Sequence, residues 1–318
     1  MAIEIVKPGI LTMVRDLGRF RFRRFGVNPT GAMDPLAARI GNILVGNYED
    51  SAVIEAHFPT PEIRFTTDTV FAVTGADFSA DLDGVGLQNW RTYRADEGST
   101  LSFRSRIKGN RCYLAVAGGL NVPRWLGSST TNIAAAVGGF KGRKLSAGDR
   151  LDVSDGLHAP PLVGTAAGPS IIPQYHHFPT VRIVAGAEFD GLINESRRAF
   201  LSGTYEIGER SDLMGFSLIG PKLETVGNAA FLSSAVSFGT IQLPPLGDPI
   251  LLMADHQTSG GYPRIGHIIS CDLPLAAQLG CRDRIAFHLV DIAEAHSTLL
   301  QTENDLKILR AACRIRSV

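Results

Sequence analysis

At 318 residues the chain is long enough for two compact domains, and 44% hydrophobic with 19% charged residues is the balance of a water-soluble globular protein. Lys plus Arg and Asp plus Glu stand at 31 each, so no whole-chain field draws it to nucleic acid or to an acidic membrane. No apolar run approaches bilayer-spanning length, the amino terminus alternates too closely for an export signal, and the four cysteines lack both C-x-x-C pairing and histidines at zinc spacing, which predicts a cytoplasmic protein with reduced thiols and no metal site.

In chain order, Val14-Arg15-Asp16-Leu17-Gly18-Arg19 reads as a salt-bridged turn. Arg19, Arg21, Arg23 and Arg24 then crowd one stretch; it reads as a solvated basic loop, with a phosphate or carboxylate site as the alternative. Asp34 as cap, Pro35 at the first position, an apolar stripe and Gly46 as stop predict a helix over 35–45. Short runs at 70–73, 112–117, 182–184 and 251–253, punctuated by glycine and proline, predict many short strands of a barrel or sandwich. Asp77 emerges at the end of one of them, where a carboxylate serves chemistry or caps a turn. A Pro-, Gly- and Ala-rich stretch over 156–179 reads as a linker between domains at 1–155 and 180–288. Weak echoes, such as Tyr113 to Gly119 against the run from Ile250, suggest two related β-domains with a ligand cleft between them. A short helix is expected over 273–280 and a longer one over 289–318.

The densest chemistry lies over 239–272. An apolar run, 250–254, reads as a buried strand; Asp255, His256, Gln257, Thr258 and Ser259 follow it, then Gly260 and Gly261, where backbone can approach a ligand. A tight polar turn would use the same residues. Asp16, Asp34, Asp77, Asp212 and Asp255 all neighbour glycine or turn residues; if several converge, the site suits an amide, ureido or cationic ligand that donates to carboxylates. No phosphate loop, dinucleotide fingerprint, nucleophile elbow or H-E-x-x-H is present.

Together the blocks Val14 to Arg19, Thr30 to Asp34, Thr74 to Asp77, Ala115 to Gly119, Ser211 to Gly215, Gly239 to Gln242 and Ala254 to Pro263 resemble, in order, those of the biotin-dependent carboxyltransferase family, also called allophanate hydrolase subunit 2. That family includes the C-type component of 5-oxoprolinase and a kinase-inhibitor antagonist of sporulating bacteria. The resemblance implies a mainly β chain of two cyclophilin-like β-barrel domains in pseudo-symmetric arrangement, with a few short helices and a C-terminal helix. It implies two partners, one of the family's B type and one of the lactam-utilisation A type, with ATP shared between this chain and a partner.

The activity it implies first is ATP-dependent opening of 5-oxoproline to glutamate. The alternatives are carboxyl transfer from biotin to a ureido nitrogen, and a non-catalytic module that binds a kinase inhibitor. Asp255, Asp77 and Asp212 are the candidate catalytic residues. Gln242, Gln257, Thr258, Gly260, Gly261, Tyr262, Ser211, Arg15 and Asp34 are the candidate substrate-binding residues. The family usually carries arginine where this chain has Leu213 and His256, which implies a changed anionic group or lost turnover.

Overall fold

The computed structural model describes residues 2–154, 156–227 and 232–315. Its chain divides into two compact units, residues 1–19, 30–173 and 303–318 in one and residues 20–29 and 174–302 in the other. This departs from the expected boundaries in three places. The basic stretch after Arg19 joins the second unit. Much of the expected linker is tied to the first, where Thr92 Oγ1 donates to Leu162 O at 2.7 Å and the His158 N–H to Gly46 O at 2.7 Å. The C-terminal helix, Ile292–Ile315, contributes to both.

The first unit holds two sheets. One has seven strands in the order Leu120–Asn121, Arg150–Val153, Ala2–Lys7, Glu62–Phe65, Thr100–Phe103, Ala80–Leu82, Val85–Gly86. The other has five, in the order Thr12–Arg15, Val53–His57, Lys108–Val116, Thr69–Asp77, Arg91–Ala95. A single core of Ile3, Ile5, Val14, Ile54, Ile63, Phe65, Phe71, Val73, Leu101 and Leu114 draws on both sheets. Alternation sends Phe71 and Val73 into it, each such side chain contributing about 1.5–3 kcal/mol. Thr74 takes the opposite side, where its hydroxyl donates to Ala37 O at 2.7 Å in the helix Pro35–Leu44. That helix begins as its sequence dictates, with the Asp34 carboxylate accepting the Ala37 N–H at 2.9 Å. Gly46, at φ +76°, follows it.

The second unit is a closed barrel of seven strands, Thr180–Ala185, Arg264–Ile268, Thr240–Gln242, Ile250–Leu252, Gly215–Ile219, Tyr205–Ile207 and Arg284–Leu289. Closure comes from the parallel pairing of Thr180–Ala185 with Arg284–Leu289. The helix Asn194–Ser202 supplies Phe200, whose ring lies 5.0 Å from that of Phe287 and 6.3 Å from that of Tyr205. The protein is thus mainly β, with few helices and a long helix at its C-terminal end. The strand expected over 250–254 stops at Leu252 and a turn takes over at Ala254, while the short helix spans Leu273–Ala277. No helix among the described residues is long and apolar enough to cross a membrane.

Candidate functional site

The polar run after Leu252 lies within the second unit, where four segments meet. Two backbone bonds join the turn after Ser211 to the run: Asp255 N–H donates to Leu213 O at 2.9 Å and Met253 N–H to Met214 O at 2.9 Å. Asn28 reaches it with Nδ2 on Asp255 O at 3.0 Å. The strand Thr240–Gln242 contributes the buried Gln242, whose Oε1 accepts from Gln257 Nε2 at 3.3 Å and whose Nε2 donates to Tyr262 O at 3.4 Å. A two-stranded ribbon completes the group, Ser234 paired with Gly260 and Ala235 with Ser259, and the Val236 N–H donates to Thr258 O.

The local sequence explains this arrangement. Gly260 lies so close to Gln242 that an added Cβ would stand 2.5 Å from Nε2, so the two-glycine step lets the loop return over the amide. Asp255 is only 9% exposed and His256 1%, whereas Tyr262 is 46% exposed and Gly261 is exposed. Burial, reinforced by the positive charge of Arg23, lowers the basicity of His256 against the opposing bond from Nδ1 to Gln257 O. Its imidazole is therefore neutral near pH 7. In the strand Arg264–Ile268, His267 Nδ1 meets Thr240 Oγ1 at 3.0 Å and is likewise held low by burial and by Arg264.

The sequence-derived candidates divide between the units. Gln242, Gln257, Thr258, Gly260, Gly261, Tyr262, Ser211, Asp212 and Asp255 belong to the second; Arg15, Asp34 and Asp77 belong to the first. Ser211 Oγ accepts the Ser217 N–H at 3.1 Å, and the exposed Asp212 accepts from Met214 N–H at 2.8 Å and Gly215 N–H at 3.1 Å. Asp77 accepts the Ser79 N–H at 2.9 Å. These carboxylates thus cap turns as short polar side chains do; of the five turn-side aspartates, Asp212 and Asp255 lie in neighbouring segments of the second unit, and in the first the Asp16 carbonyl accepts the Ala32 N–H at 2.8 Å, two residues before Asp34.

Arg15 departs from the expected salt-bridged turn. Its Nη1 donates to Thr131 O at 2.9 Å, and its Nε lies 3.7 Å from Glu55 Oε1, both side chains fully buried. Asp16 takes the hydroxyl of Ser128 and the N–H groups of Gly18 and Ser129 instead of a cation. Around Glu55 lies a polar layer that sequence reasoning missed. Tyr113 donates to Glu55 Oε2 at 2.8 Å and accepts the Asp34 N–H at 2.7 Å, while the Met33 N–H donates to the same Oε2 at 2.9 Å. Burial, then the charge of Glu55, pushes the Tyr113 phenol well above its ordinary value, and burial with Arg111 and Arg15 holds His57 well below its own. The signal was the alternation of Met13, Arg15 with Glu55, His57 and Arg111, Tyr113 on paired strands.

None of the four cysteines is in a disulfide, His177 pairs with Asp283 at 2.8 Å, and no metal-holding group of His, Cys, Asp or Glu occurs among the described residues.

Residues 25–289 match a family described as the carboxyltransferase domain, subdomain A and B. The C-type 5-oxoprolinase subunit of Haemophilus influenzae is 36% identical over 293 residues, covering 92% of this chain and 93% of that protein. Its Escherichia coli counterpart is 35% identical over 299 residues with the same coverage. Urea amidolyase of Saccharomyces cerevisiae is 31% identical over 96% of this chain, which spans 17% of that protein. The crystal structure of Kluyveromyces lactis urea amidolyase superposes with a TM-score of 0.91 at 27% identity, over 97% of this chain and 20% of that one.

Proposed function

Because the chain belongs to the carboxyltransferase domain family, subdomains A and B, we propose that it works as the C-type subunit of an ATP-dependent 5-oxoprolinase, converting 5-oxo-L-proline, ATP and water to L-glutamate. One observation carries the choice of activity within the family. The chain is 36% and 35% identical to 5-oxoprolinase subunits over 93% of their length, against 31% identity to the yeast urea amidolyase over 17% of its length. Its partners in this reading are a B-type component and an A-type, lactam-utilisation component.

A lactam is a stable amide, and ATP would supply its activation by phosphoryl transfer to the carbonyl oxygen with release of ADP; water then adds to that carbon, inorganic phosphate leaves, and the C–N bond breaks to give the free amine and carboxylate of glutamate. What this chain contributes is recognition of the ring amide. Such a group presents one N–H donor and one carbonyl acceptor side by side. Asp255 and the Oε1 of Gln257 suit the donor; the Gln257 Nε2 and the Thr258 hydroxyl suit the acceptor. Gln242 and Tyr262 hold Gln257 and the loop in place, and Gly260 and Gly261 leave room for the ring. Asp212, in the same unit, keeps a flanking role; Arg15, Asp34 and Asp77 belong to the other unit, where they serve its own turns, helix cap and buried layer. For phosphate, this chain offers the arginines at 21, 23 and 24; the greater part of the nucleotide rests on partner subunits.

Asp255→Asn tests this in the reconstituted complex. Loss of one carboxylate–donor bond lowers 5-oxoproline turnover at least tenfold, with the unfolding midpoint near that of the parent. Unchanged turnover removes Asp255 from the mechanism.

A further inference from the structure

The arginines of this protein are mostly committed. Arg39, Arg94, Arg143, Arg182 and Arg264 each hold a carboxylate within 2.8 Å. Arg19 is buried, with its Nη2 on Thr130 O and its guanidinium 4.9 Å from the Trp125 ring. The segment that follows differs. Phe20–Phe25 forms a short 3-10 helix of sequence F-R-F-R-R-F without a buried residue, and Phe20 and Phe25 are exposed. Among the described residues, Arg21, Arg23 and Arg24 have no carboxylate partner. Arg24 lies over the Phe25 ring, and Arg23 donates a single bond through Nη2 to Val236 O.

That bond decides where the charge sits. Val236 follows the ribbon strand paired with Ser259 and Gly260, and its own N–H reaches Thr258 O. Three residues beyond the basic segment, Asn28 holds the Asp255 carbonyl. Arg23 is also near enough to His256 to lower its basicity. The neighbouring Ala235 carbonyl receives Arg264, but Arg264 is neutralised by a two-pronged pair with Glu188 at 2.8 and 3.0 Å. One guanidinium with four N–H groups not used on Val236 O therefore stands over a loop of amides and hydroxyls, with no anion supplied by the protein's described residues. Guanidinium matches the planar, two-oxygen geometry of carboxylate and phosphate.

We propose that Arg23, backed by Arg21 and Arg24, is the anion-recognition element of the Asp255–Tyr262 loop, binding a carboxylate or phosphate oxygen of the ligand that enters it. The inference rests on the proposed function only for its probes. A 5-oxoproline molecule brings one carboxylate and a nucleotide brings phosphates, so the shared chemistry is an oxyanion, and the experiment separates its sources.

The test is calorimetric titration of the full chain, alone and reconstituted with its partner subunits, comparing wild type with Arg23→Gln and with the double variant Arg21→Gln/Arg24→Gln. The probes are 5-oxoproline, 2-pyrrolidinone, which is the same lactam without the carboxylate, and inorganic pyrophosphate. If Arg23 binds the carboxylate, Arg23→Gln weakens 5-oxoproline at least tenfold and leaves 2-pyrrolidinone unchanged. If it binds phosphate, pyrophosphate weakens at least tenfold and both lactams are unchanged. The double variant, which leaves the Val236 bond intact, weakens the same anion severalfold and flattens its salt dependence. A purely structural role would move all three probes together, and that result overturns the proposal, as does equal affinity in wild type and Arg23→Gln or no anion binding by wild type in either setting. Failure of the 5-oxoprolinase reading is visible separately, as an anion affinity that depends on Arg23 in a complex without 5-oxoproline-dependent ATP turnover.

Discussion

The side-chain amide of Gln257 donates through Nε2 to the Oε1 of Gln242 at 3.3 Å, tying a surface loop to a buried strand residue that is 2% exposed. Replacing Gln257 with Ala strips a buried carbonyl oxygen of its donor, a cost of about 1–3 kcal/mol. Chemical unfolding should show that loss, and 5-oxoproline turnover should fall at least tenfold. Full activity in Gln257→Ala would detach this amide pair from the function.

Gly260 makes the same point from the backbone. A methyl group there would meet Gln242 Nε2 at 2.5 Å, so Gly260→Ala pushes the amide aside. Because the clashing atom ends a flexible side chain, stability should drop by no more than about 1–3 kcal/mol. The KM for 5-oxoproline should nevertheless rise severalfold. An unaltered KM would mean that the position of Gln242 is immaterial to binding.

Asp34 is expected to behave differently from the residues of that loop. Its carboxylate caps the helix Pro35–Leu44 through the Ala37 N–H. Asp34→Ala should cost about 0.5–2 kcal/mol in urea unfolding while Asp34→Asn, which can still accept that bond, costs less. Turnover per folded molecule should hold in both. A fall in turnover in Asp34→Asn at unchanged stability would return Asp34 to ligand binding.

These cases show which parts of the protein were legible in its sequence. The cap at Asp34, the proline at 35 and the glycine stop are local signals, and the helix begins where they place it. Short apolar runs broken by frequent glycine and proline turn signals marked the chain as mainly β. The long-range consequences were not legible. Arg15 and Glu55 are forty residues apart and meet only because their strands pair in register, Arg15 opposite Val53 and Met13 opposite Glu55. The basic stretch looked like a solvated loop because nothing in the sequence says that Arg23 lands on Val236. Asp77 and Asp212 stood out for their glycine neighbours, yet that neighbourhood is equally the mark of a turn, and turn N–H groups are what their carboxylates accept.

Acid should weaken the fold through its buried histidines. His57, His256 and His267 are all held below the ordinary histidine value, chiefly by burial. As pH falls below about 6.5 the unfolded chain takes up protons that the folded chain refuses, so stability that is complete above that pH is lost as it falls towards the folded values. Each histidine contributes a slope of at most about 1.4 kcal/mol per pH unit. Urea unfolding between pH 7 and pH 5.5 should show this decline, and His57→Gln should make it shallower. An identical slope in His57→Gln would contradict the burial argument for that side chain.

The most direct measurement is ATP hydrolysis by the purified chain recombined with its B-type and A-type partners, with and without 5-oxoproline. We expect hydrolysis that requires the lactam and every component of the complex, releases glutamate in equal amount, and falls at least tenfold in Asp255→Asn. A stable complex that hydrolyses no ATP in response to 5-oxoproline, or that does so equally well without this chain, would contradict its role as the C-type subunit.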